Sequence, residues 1–221
     1  MKLVLYSGGD EKDNYHLDLE FIRLLDKKNP VVTFFPSSSY LSEVEFRQFV
    51  RHYSQFGIKR FIHFPVDVDF DKILLEEVLK SDAIHLGGGN TFYFLKHLRK
   101  AKLLGALKKF ALRGGVLTGL SAGAIMMTQD IFMASYPEFD RDENSVHIKD
   151  LRSISLVNFQ FFPHYRNTPR YEKSFIKLSK TDPRMIVASP DGSGLVIEED
   201  KTKFVGKNYI FFQGKKLILN Q

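Results

Sequence analysis

The sequence predicts an α/β protein: a three-layer α/β/α sandwich with a mostly parallel central sheet and an antiparallel β meander at the C-terminus. Short runs of β-branched and aromatic residues alternate with longer helical patterns, which is typical of a parallel sheet covered by helices on both faces. After about Gly192 the pattern changes to period-two segments separated by glycine and charged turns. Because no composition break, low-complexity run or internal repeat divides the chain, we expect residues 1–221 to form a single domain.

The expected elements follow from these patterns. Strands are predicted at 2–6, 31–35, 60–63, 83–86 and 115–118, then at 159–162 and 185–188, and in the meander at 195–198, 203–205, 209–212 and 216–219. A helix is expected to begin with a capping box formed by Ser42 and Glu45, and to end at Gly57. Amphipathic patterns predict further helices at 71–80 and 91–110, which gives the parallel strands crossovers of suitable length. The irregular, charged segment 135–155 is expected to be an exposed loop.

Composition narrows the class of protein. Hydrophobic residues make up 43% and charged residues 26% of the chain, as in soluble globular proteins. The apolar start of the chain turns polar at once, and no later segment approaches a membrane span, so we predict a cytoplasmic protein without membrane contact. The absence of cysteine excludes disulfides, thiolate metal sites and a cysteine nucleophile. The net charge of +6 comes from scattered Lys and Arg, which predicts attraction for anionic substrates rather than binding to nucleic acid.

The sharpest motif is Gly119-Leu120-Ser121-Ala122-Gly123, which lies between an apolar strand and a helical pattern. This is the context of a G-x-S-x-G nucleophile elbow. A serine on such a sharp turn has strained backbone geometry, so its neighbours must be small. The motif predicts Ser121 as a nucleophile, with an ordinary glycine-rich connection as the structural alternative.

A glycine run, Gly87-Gly88-Gly89, joins another buried strand to a helix that Asn90 is suited to cap. The run lacks the Lys-Ser/Thr of a P-loop and the spacing of a dinucleotide fingerprint, and the first loop of the chain, at 7–10, fails the same tests. We predict that the backbone amide of Gly88 or Gly89 is an oxyanion donor, the alternative being a purely structural turn.

A nucleophilic serine needs a base, and His164 is the best placed of seven histidines. It follows an apolar strand that ends at Pro163, which places the imidazole at the mouth of the strand. His63 and His85 lie inside apolar strands, where a core histidine is the commoner outcome. Surface or helical positions are predicted for the remaining histidines, His16, His52, His97 and His147.

The base needs an acid to orient it, and here the sequence leaves alternatives open. Asp191 follows the strand at 185–188 in a Pro-Asp-Gly turn, where its carboxylate is equally suited to bond its own backbone. Asp130, downstream of the elbow, and Asp150 are the other candidates.

Four motifs follow one another along the chain: the glycine run at 87–91, the elbow at 119–123, Pro163-His164-Tyr165 and Pro190-Asp191-Gly192. In these motifs and their order, the chain resembles the peptidase E (aspartyl dipeptidase) serine peptidases, relatives of cyanophycinase with a class I glutamine amidotransferase-like fold. The resemblance implies a Ser121 nucleophile, a His164 base and oxyanion donors at Ala122 and in the glycine loop. The family pattern has glutamate after the proline, where this chain has Asp191. The resemblance also implies specificity for N-terminal aspartate through basic residues after the histidine, here Arg166 and Arg170.

We therefore expect a serine peptidase that hydrolyses small peptides through an acyl-enzyme, without a metal or organic cofactor, as a monomer or homodimer. Dipeptides with N-terminal aspartate are candidate substrates, and Asn90, Arg166 and Arg170 are candidate substrate contacts. A hydrolase of another amide or ester bond, a non-catalytic protein that retains the elbow and a nucleotide binder are the alternatives.

Overall fold

The computed structural model describes residues 1–220, and the predicted elements are found with shifts of a few residues at their ends. The strands are β1 Lys2–Tyr6, β2 Val31–Phe35, β3 Arg60–His63, β4 Ala83–Leu86, β5 Val116–Leu120, β6 Gln160–Phe162, β7 Ile186–Ala188, β8 Gly194–Glu198, β9 Lys201–Val205, β10 Lys207–Phe212 and β11 Lys215–Asn220. The α-helices are α1 Tyr15–Leu25, α2 Ser42–Ser54, α3 Lys72–Leu79, α4 Thr91–Lys100, α5 Leu104–Leu112, α6 Ala122–Ile125 and α7 Pro169–Leu178. Short 3₁₀ helices lie at Phe132–Ser135 and Glu138–Asp140.

The larger sheet has the strand order β3-β2-β4-β5-β1-β8-β9. Strands β3, β2, β4, β5 and β1 are parallel, whereas β8 and β9 continue the sheet in antiparallel pairing. Side chains alternate across this sheet: Leu3 and Leu5 pack into one core with α3, α4 and α5, and Val4 and Tyr6 into another with α1 and α2. The predicted three-layer α/β/α arrangement is therefore confirmed.

A second sheet has the order β11-β10-β7-β6, with β6 parallel to β7 and the other pairs antiparallel. The four predicted C-terminal strands form antiparallel pairs as expected; β8 and β9 extend the large sheet, whereas β10 and β11 belong to this one. The chain changes sheets at Gly206, whose φ is +70°, and the buried Asn208 amide donates to the carbonyls of Gly194, Val205 and Gly206.

Two helix predictions were wrong in detail. Ser42 lies inside α2 and makes no capping hydrogen bond, because Leu41 takes the left-handed conformation and starts the helix one residue earlier. The segment 91–110 contains two helices rather than one, since the helix is interrupted at 101–103, where Lys102 has a φ of +58°. Gly57, with a φ of +86°, does end the α2 region as expected.

Apolar packing continues from the large sheet into the second one, since Phe161 of β6 and Val187 of β7 belong to the same buried cluster as Leu3 and Leu5. The assignment of the whole chain to one domain stays a prediction. Among residues 1–220, every helix is too short or too polar to cross a bilayer.

Candidate active site

Ser121 sits on a sharp turn at the carboxyl end of β5, with φ of +52° and ψ of −109°. Its N–H donates to the carbonyl of Tyr6 on neighbouring β1 at 3.0 Å. The glycines on either side are sterically required: a Cβ on Gly119 would lie 2.4 Å from the carbonyl carbon of Gly123, and one on Gly123 would lie 2.0 Å from the carbonyl oxygen of Leu86. The two glycines thus provide the space that the strained elbow at Ser121 requires.

The second sheet brings a histidine and a carboxylate to this serine. His164 follows β6 and Asp191 follows β7, and these two strands are parallel neighbours, so their carboxyl ends meet at one edge. His164 Nε2 lies 2.8 Å from Ser121 Oγ, and His164 Nδ1 lies 2.7 Å from Asp191 Oδ1. The side chains of His164 and Asp191 are 48% and 53% exposed, so the pair lies at an open, solvent-accessible surface.

Two residues of the first loop, which were not among the predicted site residues, support the histidine. Ser7 is fully buried, and its Oγ accepts from the His164 N–H at 2.7 Å and donates to the Ser189 carbonyl at 2.6 Å. Gly8 lies directly beneath the imidazole, where a Cβ would be 2.2 Å from His164 Cε1 and 2.3 Å from Asp191 Oδ1. A small residue directly after β1 is the signal that could have identified this close approach.

The predicted oxyanion donors lie beside the elbow. Ala122 directly follows the serine and begins the short helix α6. A Cβ on Gly88 would lie 3.7 Å from the carbonyl oxygen of Leu120, so the glycine loop and the elbow are neighbours. Gly89 has a φ of +128°, and a Cβ there would lie 2.1 Å from Ser37 Oγ, so this position requires glycine. The oxyanion roles themselves stay predictions.

Asn90 has a structural task in this arrangement. Its Oδ1 accepts from the Tyr93 N–H at 2.8 Å and so caps α4, and its Nδ2 donates to the Glu143 carbonyl at 2.8 Å. Asp142 accepts from the N–H of Thr91 at 2.8 Å. The irregular segment 135–155 is therefore held against the glycine loop.

The two arginines that the sequence suggested as substrate contacts lie on the exposed segment after His164. The guanidinium carbon of Arg170 sits 3.6 Å from the centroid of the Phe139 ring, a cation–π contact. Arg166 lies near Tyr171, where its charge opposes the effects of burial and of Asp140, which raise the pKa of that phenol to about 12. Binding of substrate by either arginine stays a prediction.

The alternative acids are engaged elsewhere. Asp130 forms an ion pair with Arg184, and its Oδ1 accepts from the N–H of Phe132 at 3.0 Å. Asp150 bonds the guanidinium of Arg152, which holds the pKa of that carboxyl well below its usual range. Of the three candidate acids, Asp191 is the one in contact with His164.

Comparison with known proteins shows the family of this chain. The sequence model of peptidase family S51 matches residues 3–205. The chain belongs to peptidase family S51. It is a serine peptidase, and the resemblance to peptidase E is confirmed.

Relatives of this family match much of the chain. An uncharacterised peptidase of Pasteurella multocida is 24% identical over 212 residues, which cover 93% of this chain and 98% of that protein. Peptidase E of Shewanella sp. is 28% identical over 152 residues, covering 62% of this chain and 59% of that protein. The crystal structure of a peptidase from an acI-B1 Actinobacterium has the same fold, with a TM-score of 0.75, 18% identity and coverage of 99% and 93% of the two chains.

Proposed function

We propose that this S51 peptidase hydrolyses small peptides through a Ser121-His164-Asp191 triad and an acyl-enzyme. The supporting observation is the continuous hydrogen-bonded relay from Asp191 Oδ1 through both imidazole nitrogens to Ser121 Oγ, with contacts of 2.7 and 2.8 Å. Both distances are within the reach needed for proton transfer.

In the first half of the reaction, His164 Nε2 takes the proton of Ser121 Oγ as that oxygen forms a bond to the peptide carbonyl carbon. Asp191 accepts the Nδ1–H, fixes the tautomer that leaves Nε2 free, and stabilises the imidazolium. The amides of Ala122 and of Gly88 or Gly89 are the proposed donors to the resulting oxyanion. His164 then gives its proton to the leaving amine as the C–N bond breaks.

In the second half, water replaces the amine. His164 takes a proton from water while the water oxygen attacks the acyl carbon, and it returns that proton to Ser121 Oγ as the ester bond breaks. The products are a carboxylic acid and the free enzyme. The strained elbow contributes by exposing Oγ at the edge of the sheet, where the imidazole reaches it.

Specificity for N-terminal aspartate stays a prediction. That expectation depends on Arg166 and Arg170, and Arg170 is stacked on Phe139. Small peptides in general are therefore the proposed substrate class.

The test is labelling with a fluorophosphonate, read by intact mass, together with assays of dipeptide hydrolysis. We expect one label per chain at Ser121, and loss of both labelling and hydrolysis in Ser121→Ala and His164→Ala. His16→Ala, which removes an exposed histidine on α1, is the matched control and should behave as wild type. A folded wild-type protein that takes up no probe and cleaves no peptide would overturn the proposal and favour a non-catalytic binding protein.

A further inference from the structure

A cavity of about 690 Å³ lies beside the elbow, between the large sheet and helices α1 and α2. Its inner wall consists of rings from the sheet and from α2, which we call the ring wall: Tyr6, Phe34, Phe49, Tyr53 and His85. Each of these side chains is less than 9% exposed. The rest of the lining consists of charged and polar side chains, Gly9, the glycine loop and Leu120. A cavity of this size that combines an apolar wall with polar groups is typical of a small-molecule binding site.

The cavity ends next to the proposed nucleophile, although Ser121 itself is not one of its lining residues. Leu120, which precedes Ser121, and the glycine loop at 87–89 form the end of the cavity at the edge of the sheet. Tyr6 connects the two sites directly, because its ring belongs to the ring wall and its carbonyl accepts the Ser121 N–H at 3.0 Å. A substrate held at Ser121 can therefore extend a side chain into the cavity.

The charged groups at the floor of the cavity are compensated within the protein. Asp18, 1% exposed, accepts from the hydroxyls of Tyr6 and Tyr53 at 3.0 and 2.8 Å, and its second oxygen lies 2.8 Å from His52 Nε2. Burial lowers the pKa of His85 to about 3, so this imidazole is neutral, and its Nδ1 lies 2.6 Å from Thr118 Oγ1. The ring wall thus presents a neutral surface to a ligand.

We propose that this cavity binds an uncharged aromatic or aliphatic side chain of the substrate residue next to the scissile bond. This inference rests on the proposed function and specifies its substrate class. An apolar side chain gains by leaving water for the ring wall, whereas a carboxylate buried there would lose its hydration without an ionic partner at the floor. Lys12, Arg51 and Glu45 lie at the exposed rim, where charges of both signs are screened by water and salt.

The first measurement is kcat/KM for a dipeptide panel with Phe, Leu, Ala, Asp or Arg on either side of the bond. We expect Phe or Leu to exceed Asp by about tenfold or more at one of the two positions, an apolar burial effect of about 1.4 kcal/mol. A preference for Asp at both positions would overturn the inference.

The second measurement tests whether the cavity is the site that produces this substrate preference. Gln48 lies on the exposed face of α2 and lines the cavity, so Gln48→Phe fills the space without disturbing the buried rings. We expect this variant to lower kcat/KM for the Phe or Leu peptide about tenfold more than it lowers kcat/KM for the Ala peptide. Val44→Phe is the matched control, because Val44 is exposed on the same helix, does not line the cavity, and changes no charge.

Labelling of Ser121 distinguishes a wrong assignment of the cavity from a wrong assignment of the catalytic triad. If Ser121 takes the fluorophosphonate but Gln48→Phe and Val44→Phe give the same substrate profile, the cavity assignment is wrong while the triad stands. If Ser121 takes no label, the proposed function fails and this inference fails with it.

Discussion

Gly8→Ala tests whether His164 and Asp191 act from the positions that they have in the structure. The added Cβ would lie 2.2 Å from His164 Cε1 and 2.3 Å from Asp191 Oδ1. Because carbon atoms in contact are at least about 3.5 Å apart, the imidazole would have to retreat by about 1.3 Å from a methyl group at that position. A misplacement of about 1 Å costs about 10²-fold in rate, so we expect kcat/KM to fall by about 10²-fold, or about 2.7 kcal/mol.

The same substitution should leave the fold intact. The φ of Gly8 lies outside the left-handed region, so alanine can adopt this backbone conformation, and the clash is with the side chains of His164 and Asp191. His164 and Asp191 are about half exposed and can swing toward solvent. We therefore expect a free energy of unfolding within about 1 kcal/mol of wild type, because the lost contact is offset by the lower backbone entropy of the unfolded chain.

The assay combines kcat/KM for a dipeptide, the rate of fluorophosphonate labelling and urea unfolding. Gly105→Ala is the matched control, since a Cβ at that position meets no atom within 4 Å, and it should retain full activity. Gly8→Ala protein that unfolds like wild type and keeps kcat/KM within about threefold would show that His164 and Asp191 do not act from these positions.

Three further predictions concern the acid, the elbow and the buried network. Asp191→Asn should lower kcat/KM by about 10²- to 10⁴-fold, whereas Asp130→Asn should affect urea unfolding and leave kcat unchanged. Gly123→Ala places a Cβ 2.0 Å from a backbone carbonyl and should destabilise the fold by about 3 kcal/mol or more in urea unfolding. The hydrogen bond to Asp18 raises the pKa of His52, so stability present at pH 6 should decline as the pH rises through that pKa, and His52→Gln should abolish this decline between pH 6 and 9.

The features that the sequence predicted well are those that depend on neighbouring residues. The alternation of Leu3 and Val4 already assigns the two faces of β1, and the elbow follows from the steric demand for glycine at 119 and 123. Local sequence patterns failed to predict the structure where the backbone conformation of a neighbouring residue decided it. Ser42 has the sequence of a cap, but the left-handed conformation of Leu41 places it inside the helix.

The candidate acid shows why the site as a whole was harder to predict. The sequence favours Asp191, which follows an apolar strand in a Pro-Asp-Gly turn, over Asp130, but local patterns do not show which carboxylate reaches His164. The choice depends on the parallel pairing of β6 with β7, since that pairing brings the ends of both strands together. Because this pair belongs to a second sheet, an alternating α/β pattern does not predict it.

The relay from Ser121 to His164 therefore depends on how two sheets are held together, and Ser7 is one of the residues that link them. It extends from β1 of the large sheet, accepts from the N–H of His164 after β6, and donates to the carbonyl of Ser189 after β7. The N–H of Ser121 also donates to the carbonyl of Tyr6 at the end of β1. Hydrogen bonds to residues at the end of this one strand therefore position both Ser121 and His164. The contact of 2.8 Å between Ser121 and His164 thus depends on the hydrogen bonds that their backbone N–H groups donate to the Tyr6 carbonyl and to Ser7 Oγ, as well as on the two side chains.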